Sequence, residues 1–277
     1  MCIRDSNKGN IVSSIVEYIG DYEYLDTENE GTFKGNLLGR TRASIKIQEG
    51  CDQVCSYCIV PKVRGRERSV PLIKVLESII RLSNVGVKEV ILTGTQLGSY
   101  GFETTDMSLG KLIETILLET DIQRLRVSSI QPQELTDDLL NIWLTNNRLC
   151  KHFHLPLQSG SNKILENMRR RYTSDMFLQS VDRIRSLMSD ASITTDVITG
   201  FPGETEKDHN KTLSLMDYVK YDFGYMFKYS ERPNTPAERK FKDDVLEDIK
   251  QKRLSEIIAK QMSHSLIRNK KKIGKTY

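Results

Sequence analysis

The stretch "EGCDQVCSYCIVP", residues 49–61, sets three of the chain's five cysteines within eight positions, as Cys51-x-x-x-Cys55-x-x-Cys58. Thiolates bind soft or borderline metals, so this spacing poses a contest between zinc and iron–sulfur. A structural zinc site closes with four ligands, and here the fourth would have to be Cys150, His152 or His154, far along the chain. Three thiolates on one loop suit instead a cuboidal [4Fe-4S] cluster whose fourth iron stays open, and an open metal position is where chemistry takes place. Flanking Asp52, Gln53 and Ser56 make the loop polar, which argues against three cysteines serving only as small core residues.

The loop directly follows a short β-rich run, "ASIKIQ" (43–48). Five more such runs occur at "EVILTG" (89–94), "RLRVSS" (124–129), "HFHLPL" (152–157), "SITTDVI" (192–198) and "FGYMFKYS" (223–230). Helix-period segments lie between them. Leu72, Ile73, Leu76, Ile79 and Ile80 are expected to share one face, and Leu109, Leu112, Ile113, Ile116 and Leu117 another, with Ser108 as N-cap. Thr136 caps a helix carrying Leu139, Leu140 and Trp143, and Thr205-x-x-Asp208 forms a capping box ahead of Leu213 and Met216. A long final helix carries Val245, Ile249, Leu254, Ile257, Ile258 and Met262. Six strands alternating with helices imply an α/β fold with parallel strands and right-handed crossovers, as a doubly wound sheet or as a barrel. In both, functional residues belong in loops after the strands, where the cysteine loop sits.

The net charge of +4 permits an RNA partner without demanding one, so the placement of charge matters more than its sum. No apolar run approaches the ~20 residues of a membrane span. An odd cysteine count without an export signal predicts a cytoplasmic protein with free thiols. The opening "MCIRDSNKGN" reads as a stray or truncated start, and the acidic "EYIGDYEYLDTENEG" (17–31) as a linker.

Read together, "CSYCIVPKVRGRERS" (55–69), "LTGTQLGSYG" (92–101), "HFHLPLQSGSNKIL" (152–165), "TDVITGFPGET" (195–205) and "YSERPNTPA" (229–237) resemble, in order, the MiaB-like methylthiotransferases of the radical S-adenosylmethionine (SAM) enzymes. The resemblance covers roughly residues 40 to 277. It implies a partial (β/α)6 TIM-like barrel, with 1–39 the remnant of an N-terminal domain and linker. Residues 40–235 would be the barrel, and 236–277 a C-terminal helix and the start of a truncated RNA-binding TRAM domain. Cys51, Cys55 and Cys58 would hold the [4Fe-4S] cluster, and SAM would chelate its open iron.

By the same resemblance Tyr57 would lie near the SAM adenine, although an aromatic there also simply packs the loop. At the end of the second strand Gly94 would let the backbone approach a ligand, and Thr95 and Gln96 would receive the methionine amino group. Ser128 and Ser129 would offer polar contacts after the third strand. Gln158, Ser159 and Gly160 follow the fourth strand, and Gly200, Gly203 and Glu204 the fifth. Recurrence of such turns on one rim favours a shared ligand, although glycine-rich turns are often only turns. Arg64, Arg66 and Arg68, with Lys62, form an alternating basic segment suited to an anion or RNA phosphate. Arg169–Arg171 form a second basic group, and Lys270–Lys272 a solvated third. His209 is expected at the surface, Cys150 in the core, and His152 and His154 on one face with ordinary hydrogen-bond partners.

The implied function is 2-methylthiolation of a modified adenosine beside the tRNA anticodon. The residues lean slightly toward N6-threonylcarbamoyladenosine over N6-isopentenyladenosine. Implied partners are the tRNA anticodon loop and an electron donor such as flavodoxin or ferredoxin, with a monomeric protein. The family's second [4Fe-4S] cluster needs three further cysteines ahead of the loop, and only Cys2 precedes residue 51. Val70 stands where family members often have arginine, and Gln131 where many have an acid. Two other readings are a methylthiotransferase acting on a ribosomal protein and a zinc-stabilised RNA-binding module without catalysis.

Overall fold

The structure, a computed structural model, describes residues 41–274, so Cys2 and the acidic 17–31 stretch lie outside it. Six strands form the frame: β1 (Arg42–Lys46), β4 (Glu89–Thr93), β5 (Arg124–Val127), β6 (His152–His154), β7 (Ser192–Thr199) and β8 (Phe223–Lys228). Two short strands, β2 (Gln48–Glu49) and β3 (Arg68–Ser69), pair antiparallel beside the first of them. All pairings within the frame are parallel, β1–β4–β5 and β6–β7–β8. Bridges at Leu125–Leu149 and Ser129–His154 join the two groups, so the strands run in consecutive order around an incomplete barrel. No pairing between β8 and β1 closes it among the described residues.

The helices are α1 (Val60–Val63), α2 (Leu72–Asn84), α3 (Leu109–Glu119), α4 (Asp137–Thr145), α5 (Asn162–Asn167), α6 (Ser174–Leu187), α7 (Glu206–Val219), α8 (Pro236–Lys240) and α9 (Glu247–Lys270). Their starts follow the sequence chemistry. Ser108 accepts from the Lys111 amide, Thr136 from that of Leu139, and Thr205 and Asp208 form the reciprocal capping box. The main core combines Val90, Leu92, Leu125, Phe153, Ile193 and Val197 of the sheet with Ile79, Leu112, Ile116, Trp143 and Phe177 of the helices.

Four expectations change. The first is α6, which the sequence pattern did not separate, yet it buries Phe177, Val181 and Ile184 behind a Thr173 cap. In α2, Val75 and Ile79 are buried while Ile73 and Ile80 are exposed, because the buried face is narrower than the run of apolar residues suggests. His209 is fully buried, not superficial, because α9 lies across α7 and Glu256 Oε2 meets His209 Nε2 at 2.8 Å. Lys272, in the terminal lysine group, is not merely solvated: its ammonium reaches Asp222 at 2.9 Å.

Cys150 is buried, with its carbonyl accepting from the Trp143 indole at 3.0 Å. His152 and His154 share one face, and both meet the Thr194 hydroxyl, at 3.1 and 2.9 Å. Burial pushes the His152 imidazole down to about 4, so it is neutral at physiological pH.

Candidate active site

The cysteine loop leaves the frame at the C-terminal end of β1, and its neck is pinched shut. Gly50, at φ +76°, lies so close to the facing segment that a Cβ would come 1.9 Å from the Arg66 carbonyl oxygen. Only glycine fits that approach. The Cys51 amide then donates to the Gly65 carbonyl, and the Cys58 amide closes a turn on the Cys55 carbonyl. Cys55 is buried, while Cys51 and Cys58 are half-buried, and all three are free thiols. Burial pushes the Cys51 thiol up to about 11 and raises that of Cys58, so those two thiols are held neutral.

Ser56 anchors the far side of the loop. Its amide donates to the Met168 carbonyl, its hydroxyl to the Asn167 carbonyl at 2.7 Å, and its own carbonyl accepts from the Ala237 amide. A small second core, Ile164, Met168, Phe201, Tyr229 and Ala237, lies beneath, with Tyr57 packed against it. Tyr57 therefore serves loop packing in this conformation. Arg170 reaches Cys55 Sγ from α5 with Nη1 at 3.2 Å. Residues from four distant segments thus fix one eight-residue motif.

A buried amide network joins the loop to the next two strand ends. Gln48 Oε1 accepts from the Thr95 and Gln96 amides at 2.9 and 2.8 Å, and its Nε2 donates to the Gly50 carbonyl. The Gln131 side-chain amide donates to Gln53 Oε1 at 2.9 Å and to Gln96 Oε1 at 2.7 Å. Glu134 accepts from the Gln96 side chain and the Gln131 amide, and burial raises its carboxyl above the usual range. Ser128 and Ser129 are half-buried where β5 ends, and Ser129 forms the bridge to His154. The sequence had marked Gln96 and Gln131, and Arg170 only within a basic group, but not Gln48 or Glu134. Only the capping pattern Gln131-x-x-Glu134 was there to be found.

On the β6–β7 side, Gln158 is buried at φ +64° with its side-chain oxygen unpartnered. A non-glycine residue in that region, with an orphaned polar atom, is a mark of a ligand-facing position. Ser159 is spent locally, accepting from the Ser161 amide, and a Cβ on Gly160 would meet the α7 backbone at 2.6 Å. Gly200 donates its amide to Glu204 at 2.7 Å and abuts Lys250. Gly203 donates to Asp244 at 2.7 Å.

The alternating arginines flank the loop as paired groups. Arg64 and Arg68 both reach Glu49, at 3.3 and 3.0 Å, and Arg66 reaches Asp52 at 3.2 Å. Arg66 is 90% exposed along its side chain, so that pairing leaves most of the guanidinium in water.

Among the described residues, no three His, Cys, Asp or Glu side chains converge tightly enough to hold a single metal ion. Three thiols spaced along one loop are the ligand set of a cluster in which each binds a different iron. Residues 45–216 match the model of the radical SAM superfamily. The chain belongs to that superfamily. It is 46% identical, over 86% of its length and 54% of the relative's, to a tRNA-2-methylthio-N(6)-dimethylallyladenosine synthase of Azobacteroides pseudotrichonymphae. It is 41% identical, over 96% and 57%, to one of Flavobacterium johnsoniae. The chain therefore spans about half the length of these curated relatives.

Solved radical SAM structures share the fold. Coproporphyrinogen III oxidase of Escherichia coli superposes with TM-score 0.58 at 17% identity, over 80% of this chain and 52% of that one. The methyltransferase TsrM of Kitasatospora setae, bound to cobalamin and a [4Fe-4S] cluster, gives 0.57 at 18%, over 70% and 38%. The frame is accordingly the partial barrel of this superfamily, and membership implies a [4Fe-4S] cluster and SAM. The residues present fit both: three thiols on one clamped loop, an adjoining cation, and an orphaned amide oxygen on the same rim.

Proposed function

We propose that this chain carries the radical SAM core of a tRNA methylthiotransferase acting on N6-isopentenyl (dimethylallyl) adenosine. The observation that carries the reading is the clamped three-thiol loop in a chain 46% identical to a synthase of that name. The relatives' names favour the isopentenyl base and give no support to the preference for threonylcarbamoyladenosine.

Cys51, Cys55 and Cys58 would hold the cluster, and the polar rim of Gln96, Gln131, Glu134 and Gln158 would take SAM. When bound, these two groups supply a 5′-deoxyadenosyl radical able to remove a hydrogen from an unreactive carbon. The protein's own part is positional. Ser56 and Gly50 fix the loop, Gln48 holds the Thr95–Gln96 backbone in place, and Gln131 ties the Gln96 side chain to Gln53 of the loop. The exposed faces of Arg66 and Arg68 offer charge to RNA phosphates.

Anaerobic reconstitution with iron and sulfide should give about four irons per chain. Dithionite should then drive cleavage of SAM to 5′-deoxyadenosine, and Cys55→Ala should abolish both. About one zinc per chain, with no iron uptake, would overturn the reading. Beyond the loop only Cys2 and Cys150 remain, too few for a second three-thiolate cluster. The chain alone should therefore cleave SAM without producing methylthio-adenosine from isopentenylated tRNA, as mass spectrometry of the nucleosides would show.

A further inference from the structure

The end of α5 is built in an unusual way. The Arg170 amide bonds the Leu165 carbonyl and the Arg169 amide that of Glu166, the paired pattern of a Schellman motif. Its left-handed position is normally glycine, but here it is Arg169 at φ +56°. The same turn presents the Asn167 and Met168 carbonyls to Ser56 and turns Arg170 onto the cysteine loop.

Arg170 is then held by three contacts, from Cys55 and Tyr172. Nη1 donates to Cys55 Sγ at 3.2 Å, Nε donates to the Tyr172 hydroxyl at 3.1 Å, and the guanidinium carbon lies 4.9 Å from the centroid of the Tyr172 ring. Tyr172 is itself buried, and its hydroxyl is tied to the Pro156 and Leu157 carbonyls. Arg169 and Arg171 point outward, whereas Arg170 is half-buried. Among the described residues Arg170 has no carboxylate within ion-pair distance. Glu134 is near enough for Arg170 to favour its charged form, but no described carboxylate touches Arg170, and a partly desolvated cation without a contacting anion is costly unless one arrives beside it.

We infer that Arg170 is a positioning residue for the cluster, a fixed counter-charge on Cys55 that favours the reduced state. The inference rests on the radical SAM reading above. Reduction adds one electron, supplied by a low-potential donor, and hence one negative charge to the cluster with its three thiolates. No bond is made or broken at Arg170, and no proton moves. A fixed cation with an N–H aimed at a ligand sulfur stabilises the more negative state, and hydrogen bonds to sulfur are an established determinant of cluster potential.

The test is a redox titration of the anaerobically reconstituted chain, without SAM, followed by the electron paramagnetic resonance signal of the reduced cluster. Arg170→Gln should lower the equilibrium constant for reduction about tenfold or more, ~59 mV per tenfold for one electron. Arg170→Lys, which keeps the charge, should stay within about threefold of the parent, and Arg171→Gln should not move it. An Arg170→Gln protein with full iron and the parental potential would overturn the inference, as would an Arg170→Lys shift as large as that of glutamine. If Arg170→Gln holds no iron, Arg170→Lys decides: a near-parental potential supports the inference, and a tenfold loss refutes it. Loss of iron from both variants, with unchanged circular dichroism, also refutes it, because lysine retains the charge. A parent chain that takes up no four-iron cluster sinks the radical SAM reading instead, which is a separate result.

Discussion

Two stretches of the barrel rim are put to different use. After β1, β4 and β5, the loop thiols and the glutamines 48, 53, 96 and 131 form a layer held by neutral hydrogen bonds. After β7, the glycine-rich "TGFPGE" turn is consumed by the C-terminal helix. Glu204 takes the Gly200 amide and the Arg253 guanidinium, at 2.7 and 2.9 Å, with both charged side chains almost wholly buried. Gly200 sits at φ +70° with Lys250 2.4 Å from where a Cβ would be. One rim is organised by amides and leaves the thiols to a ligand, and the other is closed by ion pairs. Glycine-rich turns at strand ends thus record close backbone approach, and the approaching partner can be a ligand or the protein's own helix.

The largest effect should come from breaking the closed rim. Arg253→Ala strands the buried Glu204 carboxylate and should cost about 3–5 kcal/mol in urea denaturation, while folded protein still takes up its full iron. A loss of iron without a loss of stability would erase the distinction between the rims. On the open rim, Gln48→Leu leaves the Thr95 and Gln96 amides without their acceptor. It should cost about 2–3 kcal/mol and also weaken SAM binding, measured by calorimetry on the reconstituted chain. Unaltered SAM affinity would detach that network from the ligand.

The smallest effect concerns acid. Burial opposes ionisation of Asp208, but hydrogen bonds from Ser161 and Thr205, with Lys163 nearby, hold its carboxyl down to about 2. A depressed carboxyl stabilises the fold above its unfolded value of 3.8 and loses that contribution as pH falls toward 2. Asp208→Asn should therefore remove about 2 kcal/mol at neutral pH and flatten the acid limb of stability between about pH 4 and 2.

Much of the fold was legible because its signals are local. Alternating apolar residues placed all six strands, and capping side chains placed the starts of α3, α4 and α7, since both depend on neighbours within a few residues. The α6 helix escaped because "SDMFLQSVDRIRSL" interrupts its apolar stripe with seven charged or hydroxyl-bearing residues, and packing rather than patterning secures it. His209 escaped because its burial depends on α9, 47 residues later, whose Glu256 supplies its partner.

The sequence by itself determined that three thiols stand on a loop after the first strand, because cysteine spacing is covalent and a polar loop keeps thiols available to metal. It also determined the six-strand rhythm, because side-chain period follows from backbone geometry. Only the tertiary structure decided what surrounds those thiols. Arg170 lies 115 positions from Cys55 in sequence, and it reaches the thiol through a left-handed turn at Arg169 that residue type argues against. Contacts of that kind are set by how α5 packs under the loop, and no local pattern encodes them.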